Sequence, residues 1–469
     1  MIPLLQPLPF VVVATQVLVG VMTQPTLITF QMLLSGVLLY GTPGLDPGQL
    51  SRLWLQEKSA ACFSYFYNEA KWQRKAFALA HLEMLKMHYG KRMKRPGRFI
   101  IDDTLLEHSK FVKAIAHVAK FFDHNLEAFI MAISVVVLYI KIDGQIKFPR
   151  GFRIYKKSPD EKALLNGKGI SRQERKKRKR QAVHQETLTK YHLALELIDE
   201  ALANGLECHV VLFDSWYCVE PFLKELRLRK LLYVGEIKAN RNVLLPYQDK
   251  RQGKGKKKRS HEMSLPKYFD QQIHRVLRFG FEADPLTGKP EKTIWLVKQK
   301  VIRLKMHKHI PGLKHLIVYS YDESRKQKKF FITNALHWEA KRVINEYSHR
   351  WTIEEFFKDV KGLADVEGAC VQGEDAVERS LLLAFWVDSL LHLQATSSDT
   401  LKPSSAATVT MQSVVREAQK ENARRFIEAL TQLEPQQAKE LGEKWLQLGF
   451  IPTRERREAK RPVQLAVGW

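Results

Sequence analysis

Between Arg98 and Ile237 the chain alternates short apolar runs with helical stretches, and this alternation restricts the fold more than any other feature of the sequence. Phe99-Ile100-Ile101, Phe129 to Ile140 and Lys147 to Tyr155 read as neighbouring strands. An amphipathic helix is expected from about Glu186 to Ala203, followed by the strand His209 to Phe213, a helix from about Glu220 to Arg229 and a fifth strand, Leu232 to Ile237. Strands in this order, interrupted by helices that can cover their faces, predict an α/β core.

From about residue 239 to residue 334 the composition favours β-structure, with runs Arg275 to Phe281, Thr293 to Leu304, His315 to Ser320 and Lys329 to Thr333. This reads as a β-rich insertion in the α/β core. A long helix is expected from about Trp338 to Leu363, an apolar helix from Glu378 to Leu393, a linker over Ser397 to Thr408 and further helix from Met411 to Leu448, before a basic tail, Arg454 to Arg461. The division that follows is a helical N-terminal region 1–92, which would suit binding of DNA ends as well as any helical bundle, an α/β domain 93–395 that includes the β-rich insertion, and a helical C-terminal region with basic tail 396–469. The first 45 residues carry no charged side chain, so a membrane segment has to be weighed. Phe10 to Met22 and Leu27 to Tyr40 are each shorter than the ~20 apolar residues that span a bilayer, and Thr23-Gln24-Pro25 separates them. A buried helical pair is the reading preferred, with no membrane partner expected.

A net charge of +26, from 76 Lys and Arg against 50 Asp and Glu, points to a polyanionic partner, nucleic acid first. Two basic runs are dense enough to contact phosphates: Arg172, Lys176, Lys177, Arg178, Lys179 and Arg180 in one, Lys256, Lys257, Lys258 and Arg259 in the other. A solvated loop explains either run equally simply. The four cysteines, Cys62, Cys208, Cys218 and Cys370, form no CxxC pair and no zinc-ligand spacing, which reads as reduced thiols in a cytosolic protein.

Chemistry is suggested where carboxylates end strands. Asp102-Asp103 closes one apolar run and Asp214 closes another, the position at which open α/β sheets place their sites. Taken singly, each also reads as a strand-end or helix-capping Asp. On the helix that follows the insertion, with Tyr347 at zero, Arg350 falls near about −60°, Glu354 near about −20° and Lys361 near about −40°. One stripe would therefore carry a carboxylate flanked by cationic and hydroxyl groups, or else a solvated face with an i, i+4 ion pair.

The spacing Tyr347, two residues, Arg350, three residues, Glu354, six residues, Lys361 resembles the third catalytic segment of DDE insertion-sequence transposases of the Tyr-Arg-Glu-Lys branch. Asp103-Thr104 is similar to the first segment of that family and Asp214 to the second. The resemblance covers roughly residues 50 to 395. It implies a ribonuclease H-like core interrupted by a β-rich insertion, for which the 140 positions from Asp214 to Glu354 leave room. It further implies that Asp103, Asp214 and Glu354 are the catalytic residues and ligands of two Mg²⁺ ions, with Mn²⁺ as a substitute. Tyr347, Arg350 and Lys361 would bind DNA phosphates beside them. The implied substrates are double-stranded DNA at the element's terminal repeats and at the target, cut and rejoined by a homodimer on the DNA in the bacterial cytoplasm, bound to the nucleoid. A nuclease of the same fold that does not join strands, or an inactive DNA-binding derivative, are the rival readings. Some relatives have a Trp before the Glu helix as a face for a flipped base; here that strand has Lys329-Phe330-Phe331, and Phe330, or Trp295 elsewhere in the insertion, could provide the face, although a core position suits either better.

Overall fold

The computed structural model describes residues 4–40, 51, 53–54, 59–109, 115–124, 126–157, 189–245, 261–271, 275–280, 292–305, 313–322, 326–364, 366–367, 371–397 and 410–449. Both basic runs, the basic tail and most of the expected linker lie outside these residues.

The strands are β1 (Gly97–His108), β2 (Ala119–Asp123), β3 (Ala128–Lys141), β4 (Lys147–Tyr155), β5 (Cys208–Phe213) and β6 (Tyr233–Glu236). They continue with β7 (Asn242–Leu245), β8 (His261–Ser264), β9 (Arg275–Gly280), β10 (Lys292–Leu304), β11 (Lys314–Asp322) and β12 (Gln327–Thr333). All join one mixed sheet in the order β2-β3-β1-β5-β6-β12-β11-β10-β7-β8, with β4 also on β3 and β9 on β10. β1 is antiparallel to β3 and parallel to β5, and β5 is parallel to β6. β2 and β4 share the other edge of β3, β2 along 128–132 and β4 along 134–141. The expected insertion is thus no separate sheet. It extends the core sheet through the antiparallel pair β6–β12, in which Gly235 faces Ile332.

Apolar burial explains the central strands. Val135 to Ile140 and Val210 to Phe213 are buried without alternation, as strands covered on both faces must be. One face is covered by α5 (Lys190–Ala203), whose Leu197 approaches Gly151 of β4; the other by α10 (Glu374–Ser397), whose Phe385 packs on Phe152. Thr189 and His192 close a capping box at the start of α5, which fixes where that helix begins. Helix α6 (Glu220–Leu228) starts with Pro at its first turn and an acidic Glu220, both favoured at an N-terminus.

The apolar N-terminus is core. Helices α1 (Pro9–Ala14), α2 (Gln24–Tyr40), α3 (Ala60–Asn68) and α4 (Arg74–Tyr89) gather around α10. Phe30 stacks on Phe66 and meets Phe77 and Trp386 edge-on, and Arg379 of α10 donates to the carbonyls of Phe66, Tyr67 and Ala70. Of the 17 residues of α2, 12 are buried, which accounts for a segment without charge. No helix among the described residues is long and apolar enough to cross a membrane.

Two expected helices are broken. The one from Trp338 to Leu363 is split into α8 (Ala340–Ser348) and α9 (Trp351–Gly362), joined by three-residue hydrogen-bonded turns at His349 and Arg350 with helical dihedrals kept. The one from Met411 to Leu448 divides into α11 (Met411–Thr431) and α12 (Pro435–Gly449), because Pro435 can begin a helix but not continue one. Helix α7 (Leu265–Asp270) lies in the β-rich part.

Candidate active site

The first strand is longer than its apolar run. β1 stays paired with β3 as far as His108, whereas its pairing with β5 ends at Ile101 beside Phe213. Asp102, Asp103 and Asp214 therefore stand where β5 stops and the sheet opens on one side of β1. Neighbouring strand residues point to opposite faces, so the two β1 carboxylates meet different elements.

Asp102 turns toward the Glu354 helix. Its Oδ2 accepts from Arg350 Nη1 at 2.9 Å, and Nη2 of the same guanidinium pairs with Glu354 Oε1. Burial, and then the charge of Asp214, push the Asp102 carboxyl up to about 8, with Arg350 opposing. Burial disfavours the charged guanidinium, yet Tyr347, Asp102 and Glu354 together hold Arg350 protonated. Asp103 turns to the other face, where its Oδ2 pairs with Lys190 of α5 and its Oδ1 accepts from the Tyr217 hydroxyl at 3.3 Å. Asp214 anchors its own turn, Oδ1 accepting from the N–H groups of Trp216 (2.9 Å) and Tyr217 (3.4 Å). Burial raises its carboxyl; those two N–H groups and Arg350 lower it, and the Asp103 charge raises it further.

The stripe on α8 and α9 survives the break and faces the sheet. The Tyr347 ring packs on Phe331 at 4.7 Å and its hydroxyl donates to Glu236 Oε2 at 3.2 Å, while burial raises the phenol. One turn before Arg350, Glu346 accepts from Arg98 at 2.7 Å. Lys361 Nζ donates to the Leu105 carbonyl at 2.7 Å and lies 2.9 Å from Glu367. Residues 346, 350 and 361 thus track along β1 from Arg98 through Asp102 to Leu105.

Of the residues singled out in the sequence, Arg350 joins Asp102 to Glu354, the charge of Asp214 acts on Asp102 and that of Asp103 on Asp214, and Asp103 itself pairs with Lys190 and Tyr217. No three His, Cys, Asp or Glu side chains among the described residues lie close enough together to hold a metal ion. What stands between Asp102 and Glu354 is the guanidinium of Arg350. Sequence reasoning passed over Lys190, Trp216 and Tyr217, although Ser215-Trp216-Tyr217 directly after Asp214 is an unusually aromatic strand exit. Phe330 is buried against Phe269 and Tyr319 and is a core residue; the Trp295 side chain lies outside the described set.

Acidic groups at a strand end of a mixed α/β sheet, interleaved with Arg and Lys, define a site of the kind used on phosphoryl groups. Residues 53–276 match the family model described as DDE superfamily endonuclease. The matched stretch includes Asp102, Asp103 and Asp214 and ends before the helix of Glu354. No curated protein matches the chain. The similarity supports a nuclease- or transposase-type function for the chain.

Proposed function

We propose that the chain is a DNA transposase that cleaves the ends of its element and joins them to target DNA. The observation that carries this reading is Arg350 bridging Asp102 and Glu354 beside the end of β5, where Asp214 stands on the neighbouring strand. The strand order β4-β3-β1-β5-β6, with β1 antiparallel to β3 and parallel to β5 and β6, supports a ribonuclease H-like core for it. The match to the DDE superfamily endonuclease model supports the same reading from the sequence side.

Carboxylate oxygens are hard donors, a set that suits Mg²⁺ or Mn²⁺, and the charged Arg350 between Asp102 and Glu354 marks a place that favours a cation. Asp214, Glu354 and one β1 carboxylate would hold the metal. The sequence resemblance put that carboxylate at Asp103; the shared face with Glu354 favours Asp102. Bound divalent ions would supply an activated attacking oxygen and a stabilised leaving oxygen. The chain's own groups do the rest. Lys361, Lys190 and Arg350 can donate to backbone phosphates once they exchange their present partners, and Arg350 can do so through two parallel N–H donors. The buried strand ends exclude water from one side of the site, which strengthens each of these contacts.

Incubating the purified chain with the DNA that flanks its own gene and Mg²⁺, then mapping the breaks, tests cleavage; a second incubation with a pre-cut end tests joining. Cuts at the element boundary and strand-transfer products are expected. Cuts without joining would leave a nuclease of the same fold, and no cuts in Mg²⁺ or, on repeating the incubation, in Mn²⁺ would refute the catalytic reading.

A further inference from the structure

We propose that Trp216 is a stacking platform for an unpaired nucleobase of the DNA strand handled at the acidic site. The proposal rests on the DNA reading above. Trp216 is 44% exposed and Trp351, at the start of α9, 61%, whereas Trp54, Trp72, Trp338 and Trp386 are each at most 6% exposed; Trp216 differs from Trp351 in standing in the turn that follows Asp214, and its chain neighbours Tyr217 and Cys218 are buried. An indole left open beside buried aromatics leaves apolar area in water that an incoming base could cover.

Its position is fixed by the site itself. The backbone N–H of Trp216 donates to the Asp214 carboxylate at 2.9 Å, and the ring leans edge-to-face on buried Tyr217 with centroids 5.0 Å apart. Tyr217 in turn donates to Asp103, so Asp214 holds the backbone of residue 216 and Asp103 holds the ring on which Trp216 leans. Lys190, paired with Asp103, places its ammonium 5.4 Å from the Trp216 centroid and 5.6 Å from that of Tyr155. A π-face with a cation beside it is the pair of groups that single-stranded nucleic acid uses, base on ring and phosphate on ammonium. The hydrogen bond and ring contacts of Trp216 run to Asp214, Tyr217 and Lys190, on the Asp103 side of β1, so it acts on the strand's position and not on the bond that breaks. Stacking on an aromatic ring is sequence-tolerant, which suits a protein that must hold many target sequences.

The test uses the full chain and a single-stranded oligo(dT) carrying a 5′ fluorescein and one 2-aminopurine, moved along the strand in a series. Anisotropy reads binding; quenching of the 2-aminopurine reads stacking. Wild type should quench the probe at one or two positions, and Trp216→Leu should lose that quenching and bind about 5- to 100-fold more weakly. Trp216→Phe should keep part of the quenching, which shows that the aromatic face and not the bulk is required. Trp216→Met, which keeps apolar volume without a π-face, replaces the Leu variant if thermal unfolding shows the latter to be misfolded. Binding by wild type with equal quenching in the Leu or Met variant overturns the platform alone. Wild type that does not raise the anisotropy also overturns the platform, and the cleavage test on duplex DNA described above decides the DNA reading separately.

Discussion

Gly235→Ala should destabilise the chain and disturb the site from a distance. A Cβ at Gly235 would lie 2.1 Å from Phe213 Cε2, 2.7 Å from Cδ2 and 2.8 Å from Cζ. The ring has nowhere to go, being fully buried with Phe222 at 5.2 Å and Tyr233 at 5.9 Å. Nor can the backbone retreat, since β6 is paired on both sides, Gly235 with Phe213 of β5 and with Ile332 of β12. Overpacking of this kind costs about 1–3 kcal/mol, and with ring and strand both held the upper half of that range is expected. Urea unfolding followed by fluorescence should show a lower midpoint with an unchanged slope. Phe213→Leu in the Gly235→Ala background should recover part of the loss, because it removes the atoms that collide. Phe213 directly precedes Asp214, so DNA cleavage should fall more than the loss of folded protein explains. Stability within about 0.5 kcal/mol of wild type would refute the close packing between these strands.

Three further outcomes are expected. Arg350→Gln leaves Asp102 and Glu354 without their shared partner and should cost about 1–3 kcal/mol, less than a fully buried pair because Glu354 is a third exposed; the double variant with Asp102→Asn should cost less than the sum of the two, a non-additivity that a mutant cycle would detect. His81 is held down to about 3 by burial and then by Arg150, so it is neutral in the folded chain; its contribution is present above the unfolded value of about 6.5 and is lost as pH falls from there toward 3, by about 2–3 kcal/mol at pH 4.5, and His81→Gln should flatten that part of a stability-versus-pH curve. Replacing the lysines and arginines of 172–180 or of 256–259 should weaken binding to all DNA sequences alike and reduce the slope of affinity against salt, whereas an unchanged slope would mark that run as solvated only.

The sequence carried the element types well where burial alone decides them. Uninterrupted apolar runs such as Val135 to Ile140 have one comfortable place, the middle of a covered sheet, and the runs at 275, 293, 315 and 329 each became strands. It carried less of what depends on partners. Nothing local in Phe99-Ile100-Ile101-Asp102 says that β1 continues to His108, because that continuation is held by β3, 30 residues away. The alternation of strand side chains says that Asp102 and Asp103 oppose one another, but which face receives the Glu354 helix is decided by tertiary packing. For the same reason the stripe Tyr347, Arg350, Glu354, Lys361 was legible as a face and its present partners, Glu236, Asp102 and Leu105, were not. Trp216 was missed because exposure of an aromatic cannot be read from an apolar residue among apolar neighbours.

The most direct measurement removes one negative charge at a time from the acidic site and follows DNA cleavage in Mg²⁺ alongside DNA binding. Asp102→Asn, Asp214→Asn and Glu354→Gln keep side-chain size and should each abolish cleavage, with binding unchanged or slightly tighter as repulsion toward phosphate falls. Asp103→Asn, on the other face of β1, should retain cleavage. Activity in Asp102→Asn together with its loss in Asp103→Asn would move the first carboxylate back to the residue that the sequence resemblance indicates. Normal cleavage by Glu354→Gln would contradict the site itself.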